Sequence, residues 1–292
     1  MLYFYILLIE RQAAAGLLSV ATAGYTMLII QPSGGLCNRM RVINSGKELA
    51  RRRKEKLLVL WYLCPELNCP FESLFQPVTD PDIKIINIRS LYDPRKLFYQ
   101  LTASQRFGND DILQNKTDGT LHEDFFHSLK RNVYLFTWEH FYPVSDYSLY
   151  KPTPALQERI DSFTREFAPR CTGVHIRRTD NAVSMGKSTT EQFIAEMEKE
   201  LSLHPEARFF LATDDQTEED RLRALFPGKI ISNQSRTIDR NSVAGMHDAL
   251  LDLYCLAACD KLIGSYWSSF TDIAADMRGI EKVIAGESNE SL

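Results

Sequence analysis

Gly173-Val174-His175-Ile176-Arg177-Arg178-Thr179-Asp180 is the stretch from which the chain is best read. The run from Cys171 to Ile176 is apolar and partly β-branched, which predicts a short buried strand ending abruptly in charge. Two adjacent arginines at a strand's carboxyl end stand where open α/β sheets bind their ligands. Guanidinium forks keep their charge at neutral pH and match phosphate in a bidentate manner. Taken alone, the same residues would equally suit a surface ion-pair cluster.

Outward from that strand the alternation is regular. The pattern predicts a helix over 155–167 before it and a helix from Thr190 to Leu203 after it. A strand Arg208–Thr213, a helix Thr217–Leu225 and a short strand Lys229–Ser232 follow, then a helix Val243–Ala258. A strand Lys261–Gly264, a helix Ser269–Met277 and a strand Glu281–Ala285 end the series. Strands alternating with helices at this spacing imply a parallel sheet covered on both faces. In such a sheet the strand ends Arg177-Arg178, Asp214-Asp215 and Ser265-Tyr266-Trp267-Ser268-Ser269 fall on one edge and converge. Hydroxyls and N–H groups at a helix start, facing two arginines, make a phosphate site. Helix capping alone would also account for Asp215, and for Ser268 or Ser269 singly. Asp248 suits a first helical turn, whereas Asp252 stands inside the apolar run from Ala249 to Ala258 and needs a partner.

The first half begins in a strand, Met27 to Gln31, broken by Pro32-Ser33-Gly34-Gly35. A helix then runs from near Asn38 to about Lys54, with Val42, Ile43, Gly46, Leu49 and Ala50 as its inner stripe. A glycine turn feeding a helix can bring backbone N–H groups close to an anionic or sugar ligand, although a plain turn with an Asn cap reads the same way. Leu57 to Tyr62 is the next strand; between 64 and 150 only Ile83–Ile88 and Asn132–Phe136 read as strands. Trp138, His140, Phe141 and Tyr142 are taken as core rather than as sugar-stacking rings. Lys151-Pro152-Thr153-Pro154 reads as an interdomain connection. The expected organisation is an extension at 1–26, an N-terminal α/β domain at 27–152 and a C-terminal α/β domain at 153–292.

Composition narrows the class. The 292 residues are 44% hydrophobic and 25% charged, as a globular chain with ample core requires. A formal net charge of −4 argues against bulk nucleic-acid binding. Six cysteines are too sparse for a disulfide scaffold, and Cys64-x4-Cys69 has no second pair to complete a zinc site. No metal or cofactor is expected, and a reducing, cytoplasmic setting is. Leu2 to Ile9 is apolar but is interrupted by Glu10 and Arg11, too short a run to span a bilayer, so no stable membrane insertion is expected.

His175-x-Arg177-Arg178-Thr179-Asp180, Ala212-Thr213-Asp214-Asp215 and Leu251-Asp252-Leu253 with Ser268-Ser269 together resemble the three signatures of the GDP-fucose-dependent fucosyltransferases. The α-1,6-fucosyltransferases acting on chitin oligosaccharides and the N-glycan core are the nearest in pattern. Gly34-Gly35-x-x-Asn38 is similar to the N-terminal signature of the protein O-fucosyltransferases. The resemblance covers most of 27–285 in the right order.

This resemblance implies a GT-B fold: two Rossmann-like domains with parallel sheets and a cleft between them. It further implies a metal-independent, inverting transfer of fucose from GDP-fucose to a glycan hydroxyl. Carried over by position, His175 and Asp252 would meet the nucleoside, and Arg177 the β-phosphate with Arg178 beside it. Ser268 and Ser269 would hold the diphosphate, with Gly34, Gly35, Asn38 and Asp214 completing the donor site. The α-1,6 enzymes carry a glutamate about ten residues past the motif's histidine as base. Here that position falls on Met185, which leaves Asp180 and Glu191 as candidates. The expected partners are a nucleotide-sugar donor and an oligosaccharide acceptor, with no nucleic acid. Two other readings stay open: a transferase using another GDP-sugar, and a non-catalytic nucleotide- or sugar-binding protein on the same fold.

Overall fold

The computed structural model describes residues 26–167, 169–178 and 182–287. Most of the extension expected at 1–26 lies outside them, as do Thr179 and Asp180. Two compact units emerge. The first holds the described residues up to Ser33, Arg41–Tyr62 and Val78–Val144; the second holds Gly34–Met40, Leu63–Pro77 and the described residues from Ser145 onward. The division thus falls ahead of Lys151–Pro154, and two stretches from early in the chain pack with the second unit.

In chain order the first half runs β1 (Met27–Pro32), α1 (Leu36–Arg53), β2 (Lys56–Tyr62), α2 (Phe71–Leu74), β3 (Ile83–Ile88) and α3 (Pro94–Thr102). It continues with β4 (Gln105–Phe107), α4 (Asn109–Gln114), β5 (Lys116–Thr117), β6 (Thr120–Leu121), α5 (Glu123–Ser128) and β7 (Val133–Thr137). The first unit's sheet has the order β3-β2-β1-β7-β4 and is parallel throughout. Its middle strands, β1 and β2, are buried almost end to end, which is why they read as unbroken apolar runs. Gly46 lets α1 close on this sheet, since a Cβ there would lie 2.0 Å from Ile30 Cδ1. Phe141 and Tyr142 are core, as expected, whereas Trp138 is 47% exposed.

The second half runs α6 (Pro154–Thr164), β8 (Cys171–Ile176), α7 (Ala182–Lys187), α8 (Thr190–Leu203), β9 (Arg208–Thr213), α9 (Gln216–Leu225) and β10 (Ile230–Ile231). It ends with α10 (Val243–Ala257), β11 (Lys261–Gly264), α11 (Ser269–Asp276) and β12 (Glu281–Ile284). The sheet order is β10-β9-β8-β11-β12, again all parallel. Central β8 pairs His175 with Ala212 on one side and with Gly264 on the other. Register therefore sets the ends of β8, β9 and β11 on one sheet edge. Val174 and Ile176 turn into a cluster with Phe193, Met197, Phe209, Leu211 and Ile263, the core that the apolar period predicted. The expected strand Lys229–Ser232 shrinks to Ile230–Ile231, and just beyond it the Ser232 hydroxyl donates to the buried Glu219 carboxylate.

Candidate functional site

Hydrogen bonds tie the three strand ends together. Ser265 Oγ donates to the His175 carbonyl at 3.0 Å and accepts from the Arg177 N–H at 3.1 Å. The Arg178 N–H donates to Asp214 Oδ1 at 2.7 Å. Over this edge opens a cavity within the second unit, and Gly35, Asn38, His175, Arg177, Asp214, Asp252 and Ser269 all line it. Seven of the residues expected from the sequence thus share one wall.

The glycine turn serves this cavity in two ways. Gly34 adopts φ 76°, which only glycine takes without strain. A Cβ on Gly35 would meet no heavy atom within 4 Å, so its absence leaves open space on the wall. Arg39, fully buried, fixes the turn by donating Nε to the Gly34 carbonyl at 2.8 Å and Nη2 to Cys64 Sγ at 3.0 Å. The first turn of α1 carries no acidic residue of its own, and Leu36, Cys37 and Asn38 from it line the cavity.

His175 is buried, with Nδ1 2.7 Å from Thr271 Oγ1 and its ring stacked on Phe270 at 4.8 Å between centroids. Burial, and next the nearby Arg177, lowers its pKa to about 4, so the imidazole is neutral at pH 7. Asp252 is also buried, and its Oδ1 has no hydrogen-bond partner among the described residues. Desolvation raises its pKa to about 7, against the opposing pull of Arg236. A buried orphan acceptor on a cavity wall is costly unless a ligand supplies the donor.

Four expected site residues are placed elsewhere. Arg178 turns away from the cavity: Nε donates to Glu218 Oε1 at 2.9 Å, Nη1 to the Ser188 carbonyl at 3.0 Å and Nη2 to Thr190 Oγ1 at 3.2 Å. Adjacent residues leaving a strand face opposite ways, so only one of the two arginines could reach the wall. Ser268 is buried as the N-cap of α11, its hydroxyl accepting from the Thr271 N–H at 3.4 Å. Gly34 holds the turn and does not line the cavity. Glu191 does not line this cavity; its exposed carboxylate accepts from Arg221 Nη2 at 3.0 Å. Asp180, the other candidate base, lies outside the described residues. Asp215 caps α9, accepting from the Thr217 N–H at 2.7 Å.

The cavity also has walls that the sequence did not announce. Arg236, Thr237, Ile238 and Arg240 come from the loop ahead of α10, and Glu66 comes from the stretch after β2. Asn68 joins these pieces, its N–H donating to the Arg240 carbonyl at 3.1 Å. Glu66 is exposed; a hydrogen bond from Cys64, with Arg39 nearby, lowers its pKa. The hydrogen bonds that fix this loop come from Glu219 and Asp248, residues remote in sequence or already read as ordinary helix positions. Among the described residues no group of three or more His, Cys, Asp and Glu side chains is placed to hold a metal ion, and no helix is long and apolar enough to cross a membrane.

No protein-family model matches the chain, and no curated protein does. Solved structures do match. NodZ alpha-1,6-fucosyltransferase soaked with GDP-fucose superposes with a TM-score of 0.65 at 19% identity, over 87% of this chain and 92% of that one. The fucosyltransferase NodZ from Bradyrhizobium gives 0.62 at 18% identity, over 86% and 92%. POFUT1 in complex with GDP-fucose gives 0.58 at 12% identity, over 90% and 99%. With its two Rossmann-like parallel sheets, the chain has the GT-B fold of these fucosyltransferases.

Proposed function

We propose that the chain is an inverting, metal-independent glycosyltransferase that moves fucose from GDP-fucose to a hydroxyl of an oligosaccharide. The observation that carries this reading is the arrangement of Arg177, Ser269 and the α1 N-terminus around one cavity that also holds the unpartnered carboxylate of Asp252. A fixed cation, a hydroxyl and a helix dipole suit a diphosphate; a buried carboxylate suits the N1–H and N2–H groups of guanine.

In the reaction the acceptor oxygen bonds to the sugar's anomeric carbon from the face opposite the diphosphate, while the bond from that carbon to the β-phosphate oxygen breaks. Negative charge grows on the departing GDP. Arg177, on the cavity lining, meets it from a backbone that Ser265 holds at the strand end. Neutral His175, held by Thr271 and stacked on Phe270, adds no second charge beside Arg177 and orients the nucleoside. The acceptor's proton needs a base. Among the described carboxylates of the cavity, Asp248 and Asp252 are buried and Asp214 holds the Arg178 N–H, so of these we assign that role to Glu66, the exposed one.

The test is release of GDP from GDP-fucose, against GDP-mannose, with and without oligosaccharide acceptors, in the parent and in Arg177→Ala. Fucose-selective turnover abolished by the substitution supports the reading. Turnover of GDP-mannose alone points to another GDP-sugar donor. Tight GDP binding with no turnover of any donor points to a binding protein instead.

A further inference from the structure

We propose that Arg236 reads the O6 edge of a guanine base whose N1–H and N2–H groups face Asp252, so that the loop between β10 and α10 selects the nucleobase. This rests on the nucleotide reading of the cavity and goes beyond it by naming what excludes other bases.

Arg236 and Asp252 line the same cavity. The Arg236 side chain is 6% exposed, and its Nη2 is paired with the Glu219 carboxylate, itself 1% exposed. Its Nε and Nη1 are buried without a hydrogen-bond partner among the described residues, and so is Asp252 Oδ1. The lining of one cavity therefore includes unsatisfied donors and an unsatisfied acceptor, each costly to leave so. Glu219 also takes the Arg223 Nε–H at 3.0 Å, so two guanidinium groups share one carboxylate. A ligand edge that places an acceptor next to donors satisfies both sides. Guanine has that edge: O6 accepts, while N1–H and N2–H donate. Adenine reverses it, setting an amino group against the arginine and a ring nitrogen lone pair against the carboxylate.

The loop is built to hold the arginine there. Asp248 Oδ2 accepts from the Thr237 N–H at 2.8 Å, and its Oδ1 accepts from Asn233 Nδ2 at 3.2 Å and Arg159 Nη2 at 2.6 Å. Helix α10 meets the loop at Gly245, where a Cβ would lie 2.0 Å from the Asp239 carbonyl oxygen. Arg236 thus enters the cavity from a loop fastened on both sides of it.

The experiment titrates the full chain with GDP, IDP and 6-thio-GDP by calorimetry. IDP lacks the 2-amino group that Asp252 would hold; 6-thio-GDP keeps N1–H and N2–H but offers a weak acceptor at position 6. The parent should prefer GDP over either analogue by roughly tenfold or more. In Arg236→Met the preference over 6-thio-GDP should collapse while the preference over IDP survives; Asp252→Asn should do the reverse. Should the methionine variant not fold, Arg236→Lys keeps the charge on Glu219 and should narrow the 6-thio-GDP ratio. Equal weakening of all three ligands, or unchanged ratios, overturns the inference and leaves the arginine a mere loop fastener. A parent that binds none of the three overturns the nucleotide reading itself.

Discussion

His175 Nδ1 lies 2.7 Å from Thr271 Oγ1, and Gly264 makes the room for that contact. A Cβ on Gly264 would fall 2.0 Å from Thr271 Cγ2 and 2.8 Å from Oγ1. Strand β11 and helix α11 therefore approach at the point where the histidine needs its partner. Thr271→Val should leave the buried imidazole unsatisfied and cost about 1–3 kcal/mol in urea unfolding. Gly264→Ala should cost at least as much, because threonine and histidine must both move. Unfolding midpoints equal to the parent's would contradict this account of the strand end.

Stability should respond to pH through two buried groups with opposed signs. His175 titrates near 4 when folded, so over roughly pH 4 to 6.5 the unfolded chain binds a proton that the folded one does not. Its contribution is complete above that window and is lost as pH falls through it. Asp252 titrates at about 7 when folded, so its contribution is complete near pH 4 and is lost as pH rises to 7. In the parent the two slopes largely cancel between them. Asp252→Asn should uncover the histidine's slope, with stability rising by up to about 1.4 kcal/mol per pH unit from roughly pH 4 to 6.5. A flat profile in that variant would show that His175 is not held neutral.

Glu66 and Glu191 offer a contrast in proton acceptance. Glu66→Gln should lower the transfer rate by about 10²–10⁴ while leaving the GDP dissociation constant unchanged. Glu191→Gln, which breaks only an exposed pair with Arg221, should leave both unchanged. Reversed results would return the base to the start of α8.

Arg178→Ala should act on stability rather than on binding. It removes the charged partner of Glu218 and the donors to Ser188 and Thr190, leaving a nearly buried carboxylate with only the Thr190 hydroxyl. The expected cost is about 3–5 kcal/mol in urea unfolding, with GDP affinity of the folded fraction preserved. A variant as stable as the parent but blind to GDP would mean that both arginines face the ligand.

Much of the second unit was legible because its strands and helices are long enough to show a period. Residues 171–176, 190–203, 208–213 and 261–264 fold within the very bounds that their apolar pattern marks. Between 64 and 130, β3 apart, most elements are too short for that: β5 and β6 have two residues each, and α4 and α5 six, while the nine-residue α3 went unread. The convergence of Arg177, Asp214 and Ser269 followed from parallel topology alone, whereas Asp252, inside a helix, was tied to the site only by the family resemblance. Arg178 did not separate from Arg177 in the sequence, since residue type says nothing of which face each takes. Arg236 was invisible for another reason: a loop has no period, and of its anchors Asp248 read as an ordinary first-turn carboxylate while Glu219 carried no signal of its own.

Binding of GDP tests the central claim most directly. A thermal-shift titration with GDP, ADP, UDP and CDP, in the parent and in Arg177→Ala, reads site and selectivity together. At a hundredfold its dissociation constant a ligand stabilises by about 2.7 kcal/mol, enough for a clear shift in Tm. The account predicts a shift with GDP above the other three, lost or strongly reduced in Arg177→Ala. No shift with any nucleotide, or an equal shift in parent and variant, would contradict it.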